Sequence, residues 1–237
     1  MIQFYAPDIE TSSTLPESES QHCVKVLRKE SGDVIDVIDG KGHRFKCRLL
    51  EAHHKRATIE ILERIDLPPF WPNDISIGVA PTKHLDRMEW LTEKLTETGV
   101  TSITPLLCRW SERKEIKTER IEKIAVSAMK QSLKGTCPVV NPMTPFKRFI
   151  EAAERFPQKF IAHCDDSQPR RLLSKEYRAG VDTVIIIGPE GDFSPEEIEM
   201  ATEAGFIAVS LGDARLRTET AALAACQTCH IVNQING

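Results

Sequence analysis

The sequence predicts an α/β protein built on a mostly parallel sheet and preceded by a small β-rich domain, and three observations carry that prediction. From residue 73 onward, short apolar runs alternate with stretches of helical periodicity, the grammar of strand–helix–strand units. The runs are continuously apolar, as in Val184-Ile185-Ile186-Ile187, which suits strands buried on both faces. Leu67-Pro68-Pro69-Phe70-Trp71-Pro72 holds three prolines and separates residues 1–70 from residues 71–237, the two expected domains.

In the first domain, Ser20 to Arg28 reads as a short helix ending near Gly32. Val34 to Ile38 is a strand that stops at Asp39-Gly40-Lys41-Gly42, a turn with two glycines, and Phe45, Cys47 and Leu49 then alternate with Arg44, Lys46 and Arg48. The alternation puts three basic side chains on one face. With Lys41 and the nearby His43, His53 and His54, this hairpin is a candidate surface for a nucleic-acid backbone. The same pattern also fits the solvated outer face of a small barrel.

The second domain opens with a strand over Ile75 to Ala80, followed by a helix with Asp86 as its cap and Met88, Leu91 and Leu95 at helical spacing up to Gly99. A strand around Ile103 to Leu107 leads into a loop whose Arg109, Arg113 and Lys114 could meet RNA phosphates. Thr118 begins a helix with an apolar face of Ile121, Ile124, Ala125 and Ala128, and Thr144-Pro145 begins another through Phe149, Ile150 and Ala153. Lys159 to Cys164 is a strand that runs into a polar loop.

Residues 184–225 hold the densest signals. After the strand at Val184 to Ile187, Gly188-Pro189-Glu190-Gly191 forces a turn. Ser194, Pro195 and Glu197 have the pattern of a capped helix start, and Gly205 stops that helix. Phe206 to Leu211 is a second strand with Gly212-Asp213 as its exit, and Thr218 or Glu219 begins a final helix rich in alanine. Two glycine loops that each feed a helix at the carboxyl end of a strand form a common ligand cradle. The pattern equally allows an ordinary pair of α/β turns with no ligand.

The segments GPEGDFSPEE, GF and LGDARLRTETA together resemble the signature of SPOUT-superfamily methyltransferases that modify N3 of a uridine in 16S, small-subunit ribosomal RNA. The family pattern runs GPEGG-F-S/T-x-E-E, G-F, L-G-x-R-I-L-R-x-E-T-A. Asp192 stands here for a glycine, and Ala214-Arg215 for Arg-Ile. His22, Val26, Leu27, Arg28, Gly32 and Asp33 match the family's amino-terminal H-x-x-x-V-L-R…G-D, which implies a PUA-like RNA-binding β-barrel. Lys83, Lys94, Gly99, Val100, Ile103 and Pro105 match its Lys-led helix and G-V-x-x-I-x-P. In the family's E-Q-S-G-R, Gln131 and Ser132 are kept while Lys130 and Lys134 are substitutions.

The resemblance further implies a carboxyl-terminal trefoil knot, S-adenosylmethionine as methyl donor, a homodimer, and the small-subunit RNA or the assembled small subunit as partner. Carried over residue by residue, it assigns the cofactor to His163, Ile187, Gly188, Glu190, Gly191, Leu211, Gly212, Leu216 and Thr218. Arg217 matches the second Arg of R-I-L-R and is the expected stabiliser of the uridine anion. Glu219 is either the proton acceptor or a first-turn carboxylate supporting its helix. Arg28, Lys41, Arg44, Lys46, Arg48, Arg109 and Arg113 are the expected RNA contacts. The alternatives are another RNA methylation on the same scaffold, at a ribose 2′-O or guanine N1, and an RNA-binding protein without catalysis.

Composition removes other classes. A hydrophobic share of 41% and a charged share of 28% are those of a globular protein, and no apolar run reaches membrane-spanning length. The amino terminus lacks the basic start and apolar core of a signal peptide, so a cytoplasmic address is expected. The net charge is −4, although residues 73–150 carry 13 Lys and Arg against 9 Asp and Glu. Seven cysteines at irregular spacing fit reduced thiols. Cys226-Gln227-Thr228-Cys229-His230 formally matches a haem-attachment motif, but Cys226 and Cys229 share an apolar helix face with Ala222, which favours buried thiols. His43 and Cys47 have no second pair nearby for zinc, and neither metal nor haem is expected. The usual phosphate-loop, dinucleotide and serine-hydrolase motifs are missing from the sequence.

Overall fold

The computed structural model describes residues 2–164 and 169–236, so part of the polar loop expected after Cys164 lies outside the described residues. The chain forms two compact units, Met1–Phe70 with Val126–Cys137, and Trp71–Ala125 with Pro138–Gly237. The boundary near residue 70 coincides with the proline-rich stretch. The return of residues 126–137 to the first unit has no counterpart in the sequence pattern. Among the described residues no helix is long and apolar enough to cross a membrane.

In the first unit, β1 (Gln3–Tyr5), α1 (Glu17–Gln21), β2 (Val34–Ile38), β3 (His43–Glu51) and β4 (Thr58–Asp66) follow in order. The strands form one sheet in chain order, the first pair parallel and the others antiparallel. Phe4, Val37, Phe45, Cys47 and Leu49 fill its core, so the apolar positions of the predicted hairpin do point inward. The helix expected over residues 20–28 is instead α1 followed by a wider π turn, His22–Val26, capped by Leu27, after which Arg28 takes φ +53°. Lys130 and Lys134 have partners of their own in this unit. Lys130 Nζ lies 2.6 Å from the largely buried Glu19 carboxylate, and Lys134 sits 3.8 Å above the Phe70 ring.

The remaining elements are β5 (Ile75–Val79), α2 (Leu85–Thr98), β6 (Ser102–Leu107), α3 (Thr118–Gln131), β7 (Val139–Val140), β8 (Thr144–Pro145), α4 (Phe146–Ala152), β9 (Gln158–Ala162), β10 (Arg171–Leu172), α5 (Leu173–Glu176), β11 (Thr183–Ile187), α6 (Pro195–Glu203), β12 (Ile207–Ser210) and α7 (Thr218–Asn236). The sheet order is β10-β12-β9-β11-β5-β6-β7, with β8 beside β6 and every pairing parallel. The predicted mostly parallel α/β architecture is what the structure shows. Ile185 and Ile187 face a core shared with α2 and α7, while Val184 and Ile186 face one shared with α4 and α6. Burial on both faces is why β11 reads as an unbroken apolar run. Gly78 in β5 makes room on the second face, since a Cβ there would lie 2.8 Å from Phe149 Cζ.

Two helix starts differ from expectation. His84, not Asp86, is the residue before α2, and Asp86 sits in the first turn, where a carboxylate favours the positive end of the helix. Thr144 and Pro145 pair with β6 and α4 begins one residue later, because a residue before proline is held extended. On α7, Cys226, Cys229 and His230 are fully buried, and the Trp71 ring stacks on His230 at 4.0 Å. The thiols of the Cys-x-x-Cys-His run are thus part of the core.

Candidate active site

A cavity of about 990 Å³ opens at the carboxyl ends of β9, β11 and β12, the central trio of which β9 is the middle strand. This is the end of a parallel sheet where loops leave open crevices for ligands. Its walls are the segments after those strands: Ala162-His163-Cys164, Ile187 to Asp192, and Val209 to Glu219. All nine residues assigned to the cofactor line it, His163, Ile187, Gly188, Glu190, Gly191, Leu211, Gly212, Leu216 and Thr218, and so do Arg217 and Glu219.

Local chemistry explains why these loops sit where they do. Ser194 caps α6 through a reciprocal box in which its hydroxyl accepts the Glu197 N–H while Glu197 accepts the Ser194 N–H at 2.9 Å; Pro195 opens the helix. The other Glu197 oxygen takes the Arg109 N–H at 2.8 Å, which fixes the loop after β6. Asp192 adopts φ +67°, a conformation that explains a glycine at this place in the family pattern. Its carboxylate accepts N–H bonds from Cys164 at 2.7 Å and Phe193 at 2.8 Å, so the substitution ties the loop after β11 to the segment after β9.

Two further bonds join the walls. The buried Thr218 hydroxyl donates to the Gly188 carbonyl at 3.1 Å, linking the start of α7 to the loop after β11. Glu190 accepts the Lys83 N–H at 3.1 Å, linking that loop to the one after β5. Gly212, at φ +120°, has open space where a side chain would stand.

The charged groups are arranged unequally. The exposed Arg217 side chain has no hydrogen-bond or ion-pair partner among the described residues. Glu219 is 93% buried, given a relative exposure of 7%. Its Oε1 lies 3.8 Å from Nε of Arg87 on α2, and its Oε2 has no hydrogen-bond partner among the described residues. Arg87 also lines the cavity. Sequence reading missed it, because its partner stands on the last helix and nothing in local spacing connects them.

The expected RNA contacts are scattered over both units. Arg28 is exposed, and Lys41 donates to the Pro7 carbonyl at 2.8 Å. Arg44, Lys46 and Arg48 do point outward from β3, but each faces a carboxylate of a neighbouring strand: Asp36 at 3.9 Å, Glu63 at 2.9 Å and Glu60 at 3.0 Å. Strand register sets Lys46 opposite Glu63 and Arg48 opposite Glu60, so the face is a mixed-charge ladder instead of a basic patch. Arg109 is exposed, whereas the Arg113 guanidinium is spent on the Thr82 and Lys83 carbonyls at 3.2 and 2.7 Å.

Comparison with known proteins identifies the family. A family model described as RNA methyltransferase domain matches residues 69–230, and one described as RNA methyltransferase PUA domain matches residues 15–62. A protein of Buchnera aphidicola called ribosomal RNA small subunit methyltransferase E is 30% identical over 215 residues, covering 87% of this chain and 83% of that one. The crystal structure of a probable rRNA-methyltransferase from Porphyromonas gingivalis is 43% identical over the whole of both chains, with a TM-score of 0.95. A ribosomal RNA small subunit methyltransferase E from Neisseria gonorrhoeae, solved bound to S-adenosyl methionine, is 32% identical over 98% of each chain, with a TM-score of 0.82. The chain belongs to the RNA methyltransferase family that includes these small-subunit methyltransferase E proteins.

Proposed function

We propose that this protein transfers a methyl group from S-adenosylmethionine to N3 of a uridine in small-subunit ribosomal RNA, acting on the assembled subunit in the cytoplasm. The observation that carries the reading is one cavity that unites two glycine loops with an exposed guanidinium and a largely buried carboxylate. Its volume is at the upper end of small-molecule sites, with room for a nucleoside donor and a target base.

The residues present suit S-adenosylmethionine. Ile187, Leu211 and Leu216 offer an apolar wall, and Gly212 has open space where a side chain would stand. When bound, the donor supplies a methyl whose bond to sulfur breaks as its bond to N3 forms, the electron pair staying on sulfur. The chain's first task is to align the reactants, worth on the order of 7–11 kcal/mol in favourable cases. Its second is to handle the N3 proton, because neutral uridine offers no lone pair there. The Glu219 carboxylate accepts that proton, and Arg217 stabilises the negative charge spread over the base.

Recognition of a folded ribosomal target is assigned to the amino-terminal unit by shape, with Arg28 and Lys41 as contacts and the charge ladder of β3 contributing little net attraction. Arg109, exposed in the second unit, is assigned to phosphate. The proposal includes a homodimer, supported by the exposed Ile231 and Ile235 on α7. It also includes a trefoil knot, supported by a strand order that sets β9 between two later strands.

The test is methylation of small subunits from cells lacking this protein, followed by nucleoside mass spectrometry. The expected product is 3-methyluridine, and Arg217→Ala lowers turnover by about 10²-fold or more while the fold survives. Subunits that accept no methyl group, or a product methylated on ribose or guanine, would overturn the reading.

A further inference from the structure

We infer that the turn between β3 and β4, together with Lys25, grips the phosphate backbone of the target RNA; the inference rests on the ribosomal substrate proposed above. His53, His54, Lys55 and Arg56 follow one another in that turn, and Lys55 and Arg56 are exposed. Serine hydroxyls of the segment before β2 hold the turn at both ends. Ser31 Oγ accepts the Ala52 N–H at 3.2 Å, and the buried Ser20 Oγ accepts the Ala57 N–H at 2.9 Å. Lys25, exposed on the π turn, lies between those two serines in the chain. Within the turn, His53 Nδ1 accepts the Lys55 N–H at 3.3 Å, and the two imidazole rings stand 4.9 Å apart.

These cations differ from those on β3. Each basic side chain of β3 faces a carboxylate across the sheet, so that face has little net charge to offer. Lys25, Lys55 and Arg56 have no ion-pair partner among the described residues. The surroundings of His54 register the imbalance. Desolvation, followed by the charges of Lys25, His53 and Lys55, holds its pKa below the ordinary value, opposed by Glu17. The fixed positive charge of the surface is that of the two lysines and the arginine.

Like charges held together by main-chain bonds repel one another and contribute nothing to folding. A polyanion removes that repulsion, and each phosphate it brings releases counterions, the term that dominates affinity for nucleic acids. The donors suit phosphate oxygens as well, with the arginine fork beside two ammonium groups and two imidazole edges. Contacts of this kind fix where the RNA lies without reading its bases. The turn therefore sets affinity and register, and the methyl-transfer chemistry is left to the other unit.

The test compares two sets of charge removals, Lys25→Gln with Lys55→Gln and Arg56→Gln, and Lys46→Gln with Arg48→Gln on the β3 ladder. For each protein, binding to small subunits and to naked small-subunit RNA is measured across a salt series, with steady-state methylation, calorimetric binding of S-adenosylmethionine and thermal unfolding alongside. The triple variant is expected to bind both RNAs about tenfold more weakly, with a salt slope shallower by about two, from three contacts at roughly 0.7 each. KM for subunits should rise in step while kcat and donor affinity stay at wild-type values. The ladder variant should keep the wild-type affinity and slope. Should the triple variant unfold, the single variants Lys55→Gln and Arg56→Gln each carry a share of the slope change. An unchanged slope in the triple variant, an equal loss in the ladder variant, or weaker binding to subunits with naked RNA unaffected would refute the inference. If the wild type binds subunits without methylating them, the methyl-transfer reading has failed and the slopes still decide the role of the turn.

Discussion

Asp192 offers the most direct check on how the cavity is held open. It occupies a left-handed conformation, φ +67°, where the family pattern has glycine, and it uses its carboxylate to hold the Cys164 and Phe193 N–H groups. Asp192→Gly relieves the left-handed strain but forfeits both bonds. Asp192→Ala forfeits the bonds and keeps a β-carbon in the unfavourable region, worth about 1–2 kcal/mol. Each bond to a half-exposed carboxylate is worth about 1 kcal/mol, the low end for charged acceptors. The balance is a loss of about 1 kcal/mol for glycine and about 2 kcal/mol for alanine, with asparagine, which keeps one acceptor and tolerates the conformation, near glycine. Urea unfolding of the three variants reads these differences directly. Donor affinity should fall in the same order, because the Cys164 segment and the Gly188–Asp192 loop are adjoining walls of one cavity. An alanine variant as stable as the glycine one would show that neither the backbone strain nor the bonds act as described.

Two other measurements follow from the titratable groups. Burial raises the Asp39 pKa, but a 2.6 Å bond from the His43 ring and the N–H groups of Lys41 and His43 outweigh it, leaving the carboxyl below its ordinary value. Such a group adds stability that is complete above the unfolded pKa of 3.8 and is lost as pH falls through the lower folded value. Urea midpoints between about pH 3 and 5 should therefore drop more steeply for the wild type than for Asp39→Asn, and parallel slopes would contradict this. Burial likewise pushes the Cys226 thiol up to about 12, with Cys229 raised as well, whereas Cys164 is exposed at the cavity wall. Alkylation should thus strike Cys164 first and be slowed by S-adenosylmethionine, with Cys226 and Cys229 modified only on unfolding; early labelling of either α7 thiol would be inconsistent with that core.

What the sequence made legible was written locally. The Ser194 box, Pro195 and Gly205 bound α6 within a few residues, and Thr218 starts α7 as its position predicted. The apolar run of β11 carries its own burial on both faces. Other elements depend on partners far away in the chain. β1 has three residues and gains its strand character from pairing with β2, so no period marks it. The bases of β3 read as a patch because alternation reveals which face a residue takes but not what stands across from it. Only the register with β4 supplies Glu60 and Glu63.

The same distinction separates the two kinds of site residue. Gly188 and Gly212 are recognisable because a β-carbon at the first would crowd Phe193 and the second turns at φ +120°, and both requirements lie within one segment. Arg87 is invisible in that way, since an arginine in the first turn of a helix has no local reason to be there, and at a helix amino terminus its charge is slightly unfavourable. It becomes intelligible only when the fold brings Glu219 to it. A charge that sits against its local preference and meets a buried carboxylate is explained by that tertiary contact. The Lys83 N–H bond to Glu190 makes the contrast clear: it uses only main chain on one side, would survive any substitution of the lysine except proline, and so constrains the sequence at Glu190 alone.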